Sequence, residues 1–208
     1  MDKDHRLRGT PPAAAPAQRP AVGVDPHAVV LVEGASDQLA LETLARRRGR
    51  DLDAEEVLIV PIGGATKIGR FLDLFGPRGL DVVLAGLCDA GEEGDFRRGL
   101  ERGGLGSGLT RPDMESLGFY VCVADLEDEL IRSLGAARVE HVVEAQGELG
   151  SFRSFQMQPA WRGRATEDQL RRFMGTRSGR KVHYARLLVE ALDLARVPRP
   201  LDGVLAHV

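Results

Sequence analysis

The chain is 208 residues long, with 28% charged residues and a formal net charge of −3 at pH 7. That length supports one well-buried domain with an appendage, and the charge balance excludes a protein that grips nucleic acid through a global basic field. The two cysteines, Cys88 and Cys122, lie in apolar strand-like runs without metal-ligand spacing, which excludes a disulfide framework and fits buried thiols in a reducing compartment. No apolar run reaches bilayer-spanning length and no signal-type apolar segment opens the chain, so a cytoplasmic protein without membrane contact is expected.

Residues 1–26 are rich in Pro, Ala and charge, and Pro11, Pro12, Pro16, Pro20 and Pro26 are spaced too closely for a helix or a central strand. A disordered lead-in is expected there. The run Val29-Val30-Leu31-Val32 reads as a strand buried on both faces, and Gly34 marks a sharp exit into a helix. Ser36 is the predicted N-cap, with Leu39, Ala40, Thr43 and Leu44 at helical spacing. Glu33, just past the strand, and Asp37, in the first helical turn, can converge at the crevice where open α/β sheets bind ligands, a point suited to a divalent metal. The cluster Arg46-Arg47-Arg48-Gly49-Arg50 closes that helix, with Gly49 at the position after the C-cap; a phosphate-binding patch is the alternative.

A second strand is predicted over Val57–Val60. The following Gly63, Gly64 and Lys67, ahead of an amphipathic stretch from Ile68 to Phe75, resemble an anion cradle built of backbone amides and one lysine. No Walker A spacing occurs here or elsewhere in the chain. The third strand, Val82–Leu87, delivers Asp89 and a glycine-containing turn, repeating the pattern set by Glu33. Parallel strands present their C-terminal ends on one edge, so two acids so placed form a pattern. Gly99–Gly108 reads as a surface loop or a short frayed helix.

The fourth strand, Gly118–Val123, leads into Asp125, Glu127, Asp128 and Glu129 at a strand-to-helix junction, where acids serve either as helix caps or as metal ligands. From Val139 onward the chain reads as helical, with segments at Val139–Gln146, Thr166–Met174 and Val182–Leu194, and a capping box of Thr166 with Gln169. Arg162, Arg164, Arg171, Arg172, Arg177, Arg180 and Lys181 concentrate positive charge in this half, a local surface suited to a phosphate backbone. The histidines are scattered and predicted to be neither ligands nor bases. Trp161, Tyr184 and Phe173 read as an aromatic core under the C-terminal helices, with stacking on bases as the alternative.

Glu33-Gly34 with Asp37, the Gly63-Gly64 turn, Asp89 after an apolar strand and the acidic segment Asp125–Ile131 together resemble a TOPRIM domain, the topoisomerase-primase catalytic module, in the version found in OLD (overcoming lysogenization defect) nucleases. The resemblance implies an α/β, Rossmann-like fold with a central, mostly parallel sheet flanked by helices and a helical C-terminal extension. Its division would be a tail over 1–26, a TOPRIM core over 27–135 and a helical part over 136–208 packed on that core. It also implies phosphodiester hydrolysis in DNA with one or two Mg²⁺ or Mn²⁺ ions, by a stand-alone form or the partner of a separate ABC-type ATPase, with a homodimer allowed.

Carried over by position, Glu33 matches the family glutamate that ligates metal or acts as general acid/base, Asp37 the second acid of that motif, and Asp89 the first aspartate of an Asp-x-Asp pair. Gly91 stands where the second aspartate is expected, and Glu92 or Glu93 is the substitute with a longer arm. Glu127 is the choice for a further ligand, with Glu129 in reserve. Lys181, beside Arg180, resembles the basic residue near the scissile phosphate. The rival readings are a TOPRIM acting on RNA and a catalytically degenerate TOPRIM that binds nucleic acid or protein.

Overall fold

The computed structural model describes residues 26–177 and 179–208. All of the predicted lead-in except Pro26 lies outside the described residues. Four strands form one sheet: β1 (Ala28–Val32), β2 (Val57–Pro61), β3 (Val83–Cys88) and β4 (Phe119–Val121). The order is β2-β1-β3-β4, and every adjacent pair is parallel. Parallel pairing requires crossover connections, and helices supply them. Helix α1 (Ala35–Arg47) joins β1 to β2, α2 (Ile68–Phe75) joins β2 to β3, and α3 (Glu93–Gly103) with α4 (Arg111–Ser116) joins β3 to β4.

Alternation along β1 divides the apolar side chains between two layers. Ala28, Val30 and Val32 face one core with Ala40, Leu41 and Leu44 of α1, while Val29 and Leu31 face the other with Ile68 and Leu72 of α2 and Phe96 of α3. Six further helices follow: α5 (Leu126–Leu134), α6 (Ala136–Ala145), α7 (Leu149–Gln156), α8 (Thr166–Met174), α9 (Arg180–Ala191) and α10 (Arg199–His207). Their buried faces, among them Leu130, Val143, Phe152, Leu170, Leu188 and Leu201, join the core on the α1 side. Phe155 and Trp161 stack at 5.3 Å, Phe152 meets Phe173 edge-on at 5.2 Å, and the Tyr184 ring is buried, so the aromatic residues form a core layer.

Several local expectations are corrected. The N-cap of α1 is Gly34, and Ser36 lies inside the helix. Leu41 replaces Leu39 on the fully buried face. Thr166 is the first residue of α8, behind Ala165 as cap, so the Thr166–Gln169 box does not form. Gln169 is instead buried, its amide nitrogen donating to the Trp161 carbonyl at 2.8 Å and its oxygen accepting from Gln156 at 2.6 Å. The glycine-rich segment is helical as far as Gly103 and leaves the helix through left-handed Gly104 (φ 87°). Gly99 belongs to that helix because a β-carbon there would lie 2.6 Å from Ile68 Cγ2, so its absence lets α2 and α3 pack closely.

The arginine cluster after α1 is structural. Arg47 Nη1 donates to the Val189 and Leu192 carbonyls at 2.7 and 2.8 Å, capping the end of α9. Arg50 donates to the Leu205 and Val208 carbonyls at the end of α10, and Arg48 pairs with Asp202 at 2.6 Å. Arg47 and Arg50 offset the unsatisfied carbonyls and negative dipole of two helix ends while Arg48 is held by a carboxylate, so the cluster is not a phosphate patch. Gly86, in β3, is equally constrained: a β-carbon there would sit 2.5 Å from the Phe119 ring and 3.0 Å from the Leu31 carbonyl oxygen. Gly86→Ala is therefore expected to cost about 2 kcal/mol or more through overpacking of the central sheet, measurable as a lower urea midpoint with an unchanged slope.

Candidate functional site

The parallel sheet brings three acidic junctions to one edge. Glu33 follows β1, Asp89 follows β3, and Asp125 caps α5 just beyond β4. Backbone hydrogen bonds lace these junctions together: Gly63 N–H donates to the Glu33 carbonyl at 3.0 Å, and Ala90 N–H donates to the Ala124 carbonyl at 3.0 Å. Asp37, in the first turn of α1, accepts the Gly34 N–H on Oδ2 at 2.9 Å, which pins its carboxylate over the Glu33-Gly34 turn. Glu127, in the first turn of α5, is 3% exposed and enters the same space.

The acids perturb one another. Burial, then the charge of Glu92, raises the Glu33 pKa, with Lys181 opposing and Glu127 adding to the rise. Burial pushes Asp37 up to about 6 against the Gly34 hydrogen bond, and Glu127 and Glu33 push in the same direction. Asp89 is pushed up to about 7, first by burial and then by Asp37, Asp125, Glu33 and Glu127. Like charges so placed resist simultaneous ionisation, and a cation among them would relieve the repulsion.

Two cations enter from the C-terminal helices. Lys181 Nζ, on α9, donates to Glu127 Oε2 at 2.8 Å, and Arg171 Nε, on α8, donates to Asp125 Oδ2 at 2.7 Å. Burial lowers the Lys181 pKa, but its hydrogen bond and charge interaction with Glu127, together with Asp125 and Asp89, outweigh that effect and hold it above the ordinary value. Glu127 Oε1 is buried and has no hydrogen-bond partner among the described residues. Arg171 carried no individual sequence signal beyond its place in a basic segment, and only the packing of α8 against α5 reveals its contact with Asp125.

Other candidates fall elsewhere. Glu129 is committed to structure: Oε1 accepts the Val123 N–H at 2.7 Å and Oε2 pairs with Arg132 at 2.7 Å. Arg180, considered for phosphate contact, is 6% exposed and turned inward. It donates to the Phe173 carbonyl, to Thr176 Oγ1 and to Glu148, and its guanidinium lies 4.1 Å from the centre of the Phe173 ring. Burial and these three hydrogen bonds turn it away from a phosphate and correct that expectation. Gly63 and Gly64 have positive φ of 71° and 115°, and Lys67 folds back so that a β-carbon on Gly63 would be 3.1 Å from its Nζ. This turn stands beside Glu33 with Lys67 exposed. Cys88 and Cys122 are both buried but belong to cores on opposite faces of the sheet, and burial raises both thiol pKa values.

The donors suit a hard divalent cation, since they are all carboxylate oxygens and one of them is buried without a partner. Among the described residues no three His, Cys, Asp or Glu side chains close around a single point. Carboxylates that surround a shared space without closing it fit an ion that keeps several of its own waters, as Mg²⁺ does. Gly91, in the short turn Ala90–Glu92, supplies no side chain, yet a β-carbon there would meet nothing within 4 Å. The position is exposed and open to a side chain.

Comparison with known proteins bears on the fold. Residues 27–90 match the family model described as "Overcoming lysogenization defect protein-like, TOPRIM domain". A structure of the C-terminal region of the Xanthomonas campestris pv. campestris OLD protein superposes with a TM-score of 0.67 at 22% identity, covering 88% of this chain and 92% of that one. The C-terminal region of the Burkholderia pseudomallei OLD protein superposes with a TM-score of 0.66 at 16% identity, covering 88% and 96%. No curated protein sequence matches the chain. Residues 27–90 thus carry an OLD-like TOPRIM domain, and the α/β fold over most of the chain is that of OLD C-terminal regions. No helix among the described residues is long and apolar enough to cross a membrane.

Proposed function

We propose that this OLD-like TOPRIM chain hydrolyses phosphodiester bonds in DNA, using Mg²⁺ or Mn²⁺ held by Glu33, Asp37, Asp89 and Glu127 and a phosphate contact from Lys181. The observation that carries the reading is the cluster of mutually repelling carboxylates on the C-terminal sheet edge, with one unpartnered buried oxygen and one lysine facing it. A bound divalent ion would supply Lewis acidity at the phosphoryl group and a water more acidic than bulk. Asp37 is oriented for its part by the Gly34 amide, and burial with the neighbouring acids pushes the Asp89 carboxyl up to about 7, a repulsion that a bound cation would relieve. Lys181 Nζ uses one of its donors on Glu127 and is 47% exposed, which leaves donors for a phosphoryl oxygen whose charge grows in the transition state. Lys67 over the Gly63-Gly64 turn offers a second contact for a neighbouring phosphate.

The test is nicking of supercoiled plasmid with Mg²⁺, Mn²⁺ or EDTA, comparing wild type with Glu33→Ala and Asp89→Ala. Metal-dependent nicking, reduced at least ~100-fold in both variants, is the expected result. Cleavage that persists in EDTA or survives both substitutions would overturn the reading. A second reading, a degenerate domain that binds without cutting, is favoured by one observation, the missing carboxylate at Gly91. Calorimetry separates the two: the degenerate domain takes up no divalent ion. Because the position is open, Gly91→Asp is expected to fold normally and to tighten Mn²⁺ binding by roughly tenfold, about 1.4 kcal/mol. Unchanged affinity would place residue 91 outside the ion's reach.

A further inference from the structure

Among the described residues the sheet ends on one side at β4, which pairs with β3. Along that free edge runs an open groove of about 500 Å³ whose walls bear Arg111, Arg132, Arg196 and Arg199. These four guanidinium groups come from four separate elements: the start of α4, the end of α5, the turn before α10 and the start of α10. Glu115 and Glu129 share the groove wall, and Glu93 and Asp128 lie behind it as ion-pair partners, so the groove presents exposed guanidinium groups with their carboxylates set deeper.

Three of the arginines have acidic partners in the structure: Arg111 with Glu93, Arg132 with Asp128 and Glu129, and Arg199 with Glu115. Their side chains are nevertheless 43%, 46% and 77% exposed. The partner carboxylates lie deeper, so a polyanion would meet the guanidinium donors that these pairs leave free. Arg196 is exposed and makes no ion pair among the described residues. The groove also meets the catalytic edge. Val123, 65% exposed, lies in its wall two residues before Asp125, and half-buried Tyr120 lines it further along β4. Guanidinium groups around a partly apolar wall suit a sugar–phosphate backbone, with arginine reading phosphate by its planar fork.

We infer that the β4-edge groove binds the phosphate backbone of a nucleic-acid strand as it leaves the carboxylate site, with Arg196 and Arg199 as its principal contacts. This rests on the proposed phosphodiester chemistry for the identity of the ligand, but it is testable without catalysis. Fluorescence anisotropy of a labelled DNA oligonucleotide in EDTA, titrated across KCl concentrations, compares wild type with Arg196→Glu and with Arg196→Ala/Arg199→Ala. Arg196 has no partner to lose, so Arg196→Glu keeps the fold intact as a control.

Affinity is expected to fall roughly tenfold in the double variant, and the slope of log K against log salt to fall by about 1.5, the loss of two phosphate contacts. Mn²⁺-dependent hydrolysis of a small phosphodiester, too short to reach the groove, should be unchanged. Equal affinity and equal slope in all three proteins would overturn the inference, as would a wild type that binds no DNA. Displacement of DNA by a polyglutamate peptide at equal potency would assign the groove to an acidic protein segment and overturn it too. If the wild type never cleaves but the variants still lose DNA affinity, the catalytic reading fails and the groove stands.

Discussion

At pH 7.5 in EDTA, Asp89→Asn is expected to melt higher than the wild type while losing metal-dependent cleavage. Burial and then the charges of Asp37, Asp125, Glu33 and Glu127 push the Asp89 carboxyl from its ordinary 3.8 up to about 7, and burial pushes Asp37 from 3.8 to about 6. The folded protein therefore binds more protons than the unfolded chain between about pH 4 and 7. The stabilisation from these groups is complete below pH 4 and is lost as pH rises through 6 and 7. Solvent access to Asp89 screens part of the effect, leaving a gain of about 2 kcal/mol for the neutral side chain at pH 7.5.

For a chain of this size that is roughly 4 to 8 °C, shrinking toward zero at pH 4.5. Asp37→Asn should act in the same direction to a smaller degree, since its amide oxygen can still accept the Gly34 N–H. Adding Mn²⁺ should raise the wild-type melting temperature at pH 7.5 more than that of either variant. Melting curves from pH 4.5 to 8.5, with and without metal, read all of this. A wild type with flat stability from pH 5 to 8, and an Asp89→Asn protein no more stable at pH 7.5, would remove the strained carboxylate cluster from the account.

Lys181→Met should do the opposite to stability. The substitution keeps the aliphatic stem but leaves Glu127, 3% exposed, with an uncompensated charge and one oxygen already unpartnered. Removing one member of a buried pair costs about 3–5 kcal/mol, and the half-exposed lysine brings the expectation here to about 2–3. A second change, Glu127→Gln, should restore most of the loss, because it removes the orphaned charge as well. The same logic makes Lys181 an internal competitor for a divalent ion, so Lys181→Met should bind Mn²⁺ several-fold more tightly, and the ion should recover its melting temperature. On the proposed phosphate role of Lys181, cleavage should nevertheless be lost. Calorimetry and melting on the single and double variants give the coupling; equal melting temperatures with unchanged metal affinity would leave Lys181 without this role.

The parts of the fold legible in the sequence were those with an uninterrupted local signal. Buried parallel strands read as continuous apolar runs, so Val29–Val32 and Val57–Val60 fell within β1 and β2, and the predicted third and fourth strands overlapped β3 and β4. Helix α10 lies within the part read as helical but beyond the segments given bounds, and Pro200 and Gly203 are locally unfavourable to a helix. In the structure Pro200 occupies the permissive first turn, and Gly203 is where Tyr120 approaches too closely for a β-carbon, which would lie 2.3 Å from its ring. Helix α7, Leu149–Gln156, carried only a short apolar pattern and is stabilised by burying Phe152 and Phe155 against α8.

The same division applies to the site. The sequence by itself determined that acids follow the strands, at Glu33 and Asp89, because burial of a strand and its C-terminal exit are written in consecutive residues. It also displayed Asp37 and Glu127 as acids in first helical turns. Which acids remain free for chemistry was decided only by tertiary structure. Glu127 and Glu129 are two residues apart in one helix turn, yet Glu129 is consumed by the Val123 amide and Arg132 while Glu127 keeps a bare oxygen. Lys181 and Arg180 are neighbours in sequence, and the turn of α9 sends one to the carboxylates and the other into the core against Phe173. Partners more than forty residues distant in the chain, Glu127 with Lys181 and Asp125 with Arg171, meet only when the C-terminal helices bury their apolar faces on the sheet. No local pattern encodes such a meeting, because the free energy that drives it belongs to the shared core.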